Sequence, residues 1–284
     1  MDKPLILVAG ATGNQGGAVV DALLEHPDRW RVRALTRDPV GAPAKALAAR
    51  GVEVFAGDMA DRESLKQALK GAYGVFGVQN SRTAGLKGEV KQGITLSDAA
   101  RAAGVEHFVY ASVGGAERVR GIPHFDTKWE IEQHLRATGL PATVLRPTTF
   151  MDVFTMRGVS VGLGMMAAVL GQSTSLQMIA VKDIGVFARL AFEQPDTYTG
   201  QALELAGDQL TVPEIAATLK AMGRQGRYAR IPRVLLRTMG KEARMLFWFG
   251  ESGYDADIPA LRNRHPGLLT LRAWLARTSG QVAA

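Results

Sequence analysis

Three glycines at regular spacing follow the first apolar segment of the chain. Gly10, Gly13 and Gly16 form a G-x-x-G-x-x-G pattern between a strand-like run and a helical pattern. In such a turn the first glycine permits the bend, the second admits a pyrophosphate, and the third lets the helix approach the sheet. The spacing predicts a dinucleotide site, with a plain tight turn as the alternative. The residues expected to bind phosphate are Gly10, Thr12, Gly13, Asn14, Gln15 and Gly16.

The end of the second predicted strand indicates which dinucleotide binds. Arg37 follows Thr36 and lies 21 residues after Gly16, near the roughly 20-residue spacing at which an acid binds the ribose of NAD. A guanidinium there suits the 2′-phosphate of NADP instead. Asp38 could turn toward the ribose, and Arg37 could be a plain exposed loop residue. We predict NADP(H) as the cofactor, with Thr36 and Arg37 at its adenosine end.

Polar residues also follow the third and fourth predicted strands. Asp58 is placed to meet the adenine amino group, with Met59 nearby, although Asp58 could equally cap the turn before Asp61. Gln79 and Asn80 are expected to reach the ribose or the pyrophosphate, because ligands of open parallel sheets bind at the carboxyl ends of the strands.

The elements that position these residues alternate along the first half of the chain. Near-continuously apolar strands that alternate with helices of 3–4 apolar spacing predict an α/β fold, a Rossmann-like doubly wound parallel sheet. Glycines at 51, 71, 104 and 139 are expected to end helices. The predicted strands are 5–9, 31–36, 52–56, 74–78, 107–111 and 142–145, and the predicted helices are 15–25, 42–50, 62–69, 90–103 and 125–137.

The second half is less regular and predicts a small, mostly helical C-terminal lobe. We expect a helix over 150–170, a helix capped by Asp183, a strand over 202–205 and further helices over 212–222, 235–249 and 269–277. The domain prediction assigns 1–155 to an NAD(P)-binding domain to which 176–207 returns. It assigns 156–175 and 208–284 to a smaller lobe for a substrate or partner.

Composition excludes several kinds of chemistry. The chain has 284 residues, is 46% hydrophobic and has no cysteine, so disulfides, thiolate catalysis and iron–sulfur clusters are ruled out. No histidine pair has metal-ligand spacing, so we expect no metal site. The first residues carry Asp2 and Lys3 and resemble no signal peptide. We expect a cytoplasmic protein without a membrane-spanning segment.

The net charge of +7 is local. Eight basic residues and one acid, Glu242, lie within residues 220–244, and the rest of the chain is balanced. This stretch is either a solvated face or a docking patch for an acidic partner or anionic ligand. Its basic residues are Lys220, Arg224, Arg227, Arg230, Arg233, Arg237, Lys241 and Arg244.

Together with the glycine loop, Thr36-Arg37 and Gly57-Asp58, the segment 181–185 (VKDIG) carries a family resemblance. From about residue 5 to about 210, and more faintly beyond, the chain resembles NmrA-like proteins, atypical members of the short-chain dehydrogenase/reductase superfamily. The resemblance implies three catalytic residues. In that superfamily a serine ends the fifth strand, and a tyrosine and a lysine follow as Y-x-x-x-K on a helix. Ser112 and Lys128 match, but His124 replaces the tyrosine.

Further residues are placed near the nicotinamide. Lys91 aligns with a family lysine that approaches this end, and a solvated helix residue is the alternative. Pro147, Thr148, Thr149 and Phe150 follow the sixth strand and are expected to shape the nicotinamide pocket, although Phe150 could be plain core.

The missing tyrosine leaves two functions open. The resemblance implies either a redox-sensing or regulatory NADP(H) binder, which the missing tyrosine favours, or an NADPH-dependent reductase of a quinone or another conjugated carbonyl or imine. His124, with an ordinary pKa near ~6.5, could be the acid of the reductase or a solvated bystander. Nucleic-acid binding through the basic stretch is the weakest alternative, because no recognition motif accompanies it.

Overall fold

The computed structural model describes residues 3–281, apart from the side chains of residues 241, 242 and 279–281. The side chains of Lys241 and Glu242, which belong to the basic stretch, thus lie outside the described part. Met1 and Asp2 also lie outside it. The chain forms two compact units. The first comprises Met1–Arg146 and Ile184–Leu203, and the second comprises Pro147–Asp183 and Glu204–Ala284.

Seven strands form the main sheet in the order β3-β2-β1-β4-β5-β6-β9. The pairs from β3 to β6 are parallel, which confirms the doubly wound Rossmann-like fold and its helical C-terminal part. The strands are β1 (Leu5–Ala9), β2 (Arg31–Thr36), β3 (Glu53–Ala56), β4 (Ala72–Gly77), β5 (His107–Ala111), β6 (Ala142–Pro147), β7 (Thr149–Phe150), β8 (Ser175–Ile179), β9 (Ala202–Leu205) and β10 (Asp208–Thr211).

Helices connect the strands and form most of the C-terminal part. Two short 3₁₀ helices cover Met151–Thr155 and Gly240–Ala243. The α-helices are α1 (Asn14–Leu24), α2 (Ala42–Ala49), α3 (Arg62–Ala68), α4 (Ser81–Ala102), α5 (Pro123–Ala137), α6 (Val159–Leu170), α7 (Val181–Glu193), α8 (Pro195–Tyr198), α9 (Val212–Ala221), α10 (Arg233–Arg237), α11 (Arg244–Glu251), α12 (Ile258–Arg264) and α13 (Leu271–Gln281). None of the helices within residues 3–281 is both long and apolar enough to cross a membrane.

Local sequence signals located several elements closely, although α4 begins nine residues before the predicted start at residue 90. The predicted bounds of β1, β2, β5 and β9 are those of the structure. The four predicted helix-ending glycines have φ between +68° and +84°, and each lies within three residues of a helix end. Side chains with a β-carbon rarely adopt this conformation, so glycine ends these helices as predicted.

Three predictions for the second half are wrong. The helix expected over 235–249 is divided into α10, a 3₁₀ helix and α11. The helix expected over 150–170 is interrupted, because Gly158 has φ of 85° and because Thr149 and Phe150 pair with β8 in a second sheet of order β10-β8-β7. Asp183 caps no helix end, since α7 begins two residues earlier at Val181. Its buried carboxylate instead accepts a hydrogen bond from the Leu269 amide at 2.9 Å.

One part of the core of the first unit is the apolar layer between the sheet and the helices α3, α4 and α5. Leu7, Val75 and Phe108 of the sheet pack in one cluster with Leu96 of α4 and Ile131 of α5. Buried strands on a rigid sheet hold their carboxyl ends, and the loops that leave them, at fixed positions.

Candidate functional site

The strand order reverses between β1 and β4. The chain leaves β1 toward β2 on one side, and leaves β4 toward β5 on the other. Loops that diverge in this way open a crevice at the carboxyl ends of the strands. The loops after β1 and β4 still lie close together where they leave the sheet, since a Cβ added to Gly10 would lie 2.8 Å from Cγ1 of Val78.

The glycine loop has the geometry that its spacing predicts. Gly10 has φ of +73°, and the Gly13 amide donates to the Gly10 carbonyl at 2.9 Å. A Cβ on Gly16 would collide with the Gly10 carbonyl oxygen. Because no side chain caps α1 at Gly13, the amide groups of its first turn point toward the crevice without a side-chain partner.

Unpartnered polar atoms surround this loop. The amide oxygens of Gln15 and Gln79 are buried without a hydrogen-bond partner among the described residues, and Gln79 is only 3% exposed. Arg37 is exposed at the end of β2 and makes no ion pair or hydrogen bond to another described residue. Buried polar atoms are normally satisfied. The uncapped helix and the free guanidinium therefore offer donors to phosphate groups, while the two orphaned oxygens can accept from ribose hydroxyl groups. Together they fit a phosphate-bearing dinucleotide.

Several predicted site side chains are engaged in local turns. The Thr36 hydroxyl accepts from the Asp38 amide at 3.2 Å, and the Asp58 carboxylate accepts from the Ala60 amide at 2.8 Å. The amide oxygen of Asn80 caps α4 by accepting from the Arg82 amide at 2.9 Å. Met59 contacts the Gln79 amide nitrogen through its sulfur at 3.6 Å. Thr12 and Asn14 are exposed.

Lys128 lies in a compact cluster on α5. Its Nζ donates to the Gln79 carbonyl at 2.9 Å and pairs with Oε1 of Glu89 at 3.0 Å. It also lies 5.6 Å from the centre of the Tyr110 ring. Burial lowers the pKa of Lys128, and Glu89 opposes that shift. The lysine is thus held at the end of β4, beside the crevice, by a partner that sequence reasoning did not assign.

Glu89 is the member of this cluster that sequence reasoning missed. It is 2% exposed, and its Oε2 accepts from the Thr127 hydroxyl at 2.6 Å. The available signal was a carboxylate one turn before Gly93 on the helix that follows β4. Buried carboxylates are almost always paired, but sequence alone does not show which acids of a helix are buried.

His124 lies in the first turn of α5, one turn before Lys128. It is partly buried, and its ring packs edge-on against Phe125 at 4.7 Å between centroids. Burial lowers the pKa of His124, Glu89 opposes this shift, and Lys128 adds to it. The neutral imidazole is therefore favoured near neutral pH.

Ser112 is committed to a buried ion cluster. Its hydroxyl donates to Oε1 of Glu132 at 2.5 Å, and Arg146 binds both oxygens of the same carboxylate, at 3.0 and 2.7 Å. Glu132 is fully buried. Ser112 thus has a structural partner on α5, and its catalytic role stays a prediction.

The remaining predicted residues are placed apart from this cluster or in the second unit. Lys91 is exposed on α4 without a described partner. Pro147 ends β6, and the Thr148 hydroxyl donates to the Leu205 carbonyl at 2.9 Å. Thr149 and Phe150 form β7. Their predicted contacts with the nicotinamide stay predictions.

The basic stretch of the second unit is largely solvated. Arg227, Arg230, Arg233, Arg237 and Arg244 are exposed, and Arg233 lies 5.3 Å from the centre of the Phe247 ring. Within residues 3–281, no group of three or more histidine, aspartate or glutamate side chains is arranged to hold a metal ion.

A family model now places this geometry in context. The model of the NmrA-like family matches residues 2–270. The chain belongs to the NmrA-like family. The resemblance drawn from the glycine loop, Thr36-Arg37 and the segment 181–185 is therefore confirmed.

Two relatives align with most of the chain. An NmrA-like oxidoreductase, malD of Malbranchea aurantiaca, is 28% identical over 255 residues, which cover 81% of this chain and 76% of the relative. An NAD(P)H azoreductase of Xenophilus azovorans is 34% identical over 230 residues, which cover 80% and 77%.

Solved structures share the fold. A triphenylmethane reductase of Citrobacter sp. with NADP(H) is 21% identical, with a TM-score of 0.76 over 96% of this chain and 99% of that one. The negative transcriptional regulator NmrA with NADP is 20% identical, with a TM-score of 0.76 over 97% and 95%. An NADPH-dependent quinone oxidoreductase of Escherichia coli is 23% identical, with a TM-score of 0.76 over 96% and 99%.

Proposed function

We propose that this chain is an NADP(H)-dependent reductase of a quinone, an azo compound or another conjugated acceptor. The observation that carries the proposal is the placement of Lys128 beside the crevice whose other wall is the uncapped glycine loop. The uncapped first turn of α1 would hold the pyrophosphate, and Arg37 the 2′-phosphate. Lys128 would hold the nicotinamide ribose. When bound, the cofactor supplies a hydride.

The missing tyrosine selects the type of acceptor. Reduction of an isolated carbonyl gives a strongly basic alkoxide, which needs an acid at the site. Reduction of a quinone gives a phenolate, whose conjugate acid has a pKa near ~10, so solvent can protonate it without a fixed acid. A neutral His124 is compatible with the second case. The quinone oxidoreductase among the similar proteins supports an acceptor of this kind, and the azoreductase supports a conjugated acceptor more generally.

A regulatory NADP(H) binder is the second candidate. It is favoured by the absence of a tyrosine at position 124 and by the lowered pKa of His124, because a site without an acid can hold the cofactor without turning over. The fold shared with the regulator NmrA is compatible with this candidate.

One experiment separates the two functions. NADPH oxidation by the purified protein is followed with quinones, azo dyes, enones and imines, for the wild type, Lys128→Met and His124→Phe. Turnover that is lost in Lys128→Met supports the reductase, and the His124 variant shows whether the imidazole takes part. Tight NADPH binding without turnover of any acceptor would overturn the reductase proposal in favour of the regulator.

The role of Arg37 gives a prediction about cofactor selectivity. Arg37→Gln removes a charged partner of the 2′-phosphate, and such a bond contributes ~1.5–3 kcal/mol. We expect the Kd of NADPH to rise about 10-fold to 100-fold and the Kd of NADH to change less than about twofold, as measured by fluorescence titration. Arg31→Gln, at the exposed opposite end of β2, is the matched control. Equal losses for both cofactors would contradict the NADP(H) assignment.

A further inference from the structure

We propose that Glu89 is a positioning residue of the cofactor site, which keeps Lys128 charged and directs its remaining N–H group toward the cofactor ribose. This inference rests on the proposed binding of NADP(H). Glu89 belongs to α4, whereas the glycine loop, Arg37 and Lys128 belong to other elements. Its contribution acts through Lys128 and needs no contact with the cofactor.

Counting the donors of Lys128 leaves one for a ligand. A lysine ammonium has three N–H groups and accepts nothing. The Gln79 carbonyl takes one at 2.9 Å, and the Glu89 carboxylate takes a second at 3.0 Å. These acceptors lie on β4's exit loop and on α4. Two fixed acceptors from different elements define the direction of the third N–H.

The glutamate is itself held in place. Its second oxygen accepts the single proton of the Thr127 hydroxyl at 2.6 Å, and the Thr127 oxygen also lies 3.2 Å from the His124 carbonyl oxygen. Because Thr127 and Lys128 are neighbours on α5, the carboxylate bridges two consecutive residues of one helix. A bridged carboxylate cannot rotate away from the ammonium without losing a buried hydrogen bond.

The approach of α4 to α5 brings Glu89 to this position. One turn beyond Glu89, a Cβ on Gly93 would lie within 2.6 to 2.7 Å of three side-chain atoms of Ile131. Gly93 therefore permits the helices to pack at this distance. Before Glu89, the helix is kinked at Gly85, which has φ of 72° and ψ of 167°. The kink lets Asn80 cap the first turn while the rest of α4 follows α5.

The electrostatic surroundings make Glu89 the dominant partner of Lys128. The groups that face Lys128 are the Glu89 carboxylate from α4, the Tyr110 ring from β5, the Gln79 carbonyl from the loop after β4, and His124 on its own helix. Among these groups Glu89 carries the negative charge that opposes burial. Without it, the buried ammonium would lose its proton at lower pH.

The test is the pH dependence of NADPH binding. In Glu89→Gln the Lys128 pKa falls further, so its charge is lost as pH rises through a range in which the wild type stays charged. Between pH 6 and pH 9, we expect the ratio of the NADPH Kd of Glu89→Gln to that of the wild type to rise by at least about tenfold. This corresponds to the loss of one charged hydrogen bond. Glu89→Asp should restore part of the alkaline affinity. Parallel pH profiles for the wild type and Glu89→Gln would overturn the proposal.

Two further variants test whether Glu89 affects NADPH binding through Lys128. In a Lys128→Met background, Glu89→Gln should cause no additional loss of NADPH affinity, because the two substitutions remove one shared interaction. An additive loss would overturn the positioning role. Asp98→Asn is the matched control, since it neutralises another carboxylate of α4. Asp98 lies away from this cluster and pairs with His134 at a distance of 2.7 Å. Its pH profile should follow the wild type.

A measurement without cofactor separates this inference from the proposed function. A lysine with a depressed pKa makes the folded state more stable as pH rises toward the unfolded pKa, ~10.4. The unfolding free energy of cofactor-free Glu89→Gln should therefore rise more steeply between pH 7 and pH 10 than that of the wild type. This slope, with weak NADPH binding by the wild type as well, would show that Glu89 keeps Lys128 charged but would refute the proposed cofactor site. An unchanged slope would overturn the role of Glu89.

Discussion

Gly16→Ala is expected to raise the Kd of NADPH by more than about 100-fold. The added Cβ would collide with the Gly10 carbonyl oxygen and also lie 2.8 Å from the Ala11 amide nitrogen. Both are backbone atoms of the glycine loop, so the clash is relieved only if α1 moves away from the loop. Such a shift misplaces the helix amide groups that bind the pyrophosphate, and misplacement of about 1 Å suffices for losses of this size.

The neighbouring glycine supplies the control. A Cβ on Gly17 would lie 3.5 Å from the Ala11 carbonyl oxygen, an ordinary contact, on the same helix one residue later. Gly17→Ala should therefore bind NADPH within about threefold of the wild type. Circular dichroism and the melting temperature of both variants check that the fold is kept. If the two alanines behave alike, the close approach at Gly16 does not determine cofactor binding.

The fold could be predicted because its signals are local. Segments such as residues 5–9 and 107–111 are buried along their whole length, and their near-continuous hydrophobicity indicates central strands of a parallel sheet. Glycines after helices supplied the boundaries. The second half was less predictable, since β7, β8 and β10 are short and are stabilised by pairing between distant segments, as when Asp208 pairs with Met178. No local pattern reports such pairing.

Of the candidate site, the glycine loop could be predicted from the sequence more completely than the cluster around Lys128. The glycine loop carries its geometry in its own sequence, because the turn at Gly10 and the contact between Gly16 and Gly10 involve residues within one loop. The lysine cluster depends on tertiary packing, since Glu89 and Lys128 are 39 residues apart in sequence and meet through the contact of Gly93 with Ile131. Family resemblance indicated Lys128, but only the structure shows its partner.

The missing tyrosine and the buried ion pair are two aspects of one arrangement. A tyrosine one turn before the lysine would use that lysine to lower its own pKa. Here His124 occupies that position and the charge of Lys128 is balanced by Glu89 instead. The cluster is therefore suited to hold a ribose and an acceptor that requires no strong acid, which is the chemistry proposed above.

Lys128→Met is expected to weaken the binding of NADPH and NADH together, by about 10-fold to 100-fold each, the range for hydrogen bonds to charged groups. The ribose that Lys128 would hold is common to both cofactors, so the ratio of the two affinities should not change. This separates Lys128 from Arg37, whose substitution should change the ratio. Titration of both cofactors against one protein preparation measures the effect.

The same substitution should also destabilise the cofactor-free protein. It leaves Glu89 without a counter-ion in a site where that residue is 2% exposed, and removal of one partner of a buried ion pair costs about 3–5 kcal/mol. Urea unfolding of the wild type, Lys128→Met and Lys128→Met with Glu89→Gln measures this cost. The double variant should regain part of the stability, because the unpaired carboxylate is gone.

Lys66→Met serves as the control, because Lys66 is an exposed lysine on α3, and the change in charge and side-chain length is identical. It should leave both cofactor affinities and the unfolding free energy close to wild type. A Lys128→Met protein that unfolds like this control would show that the ion pair with Glu89 contributes little stability. If it also binds both cofactors like the control, then Lys128 lies outside the binding site, and the ribose must be held by another residue of the crevice.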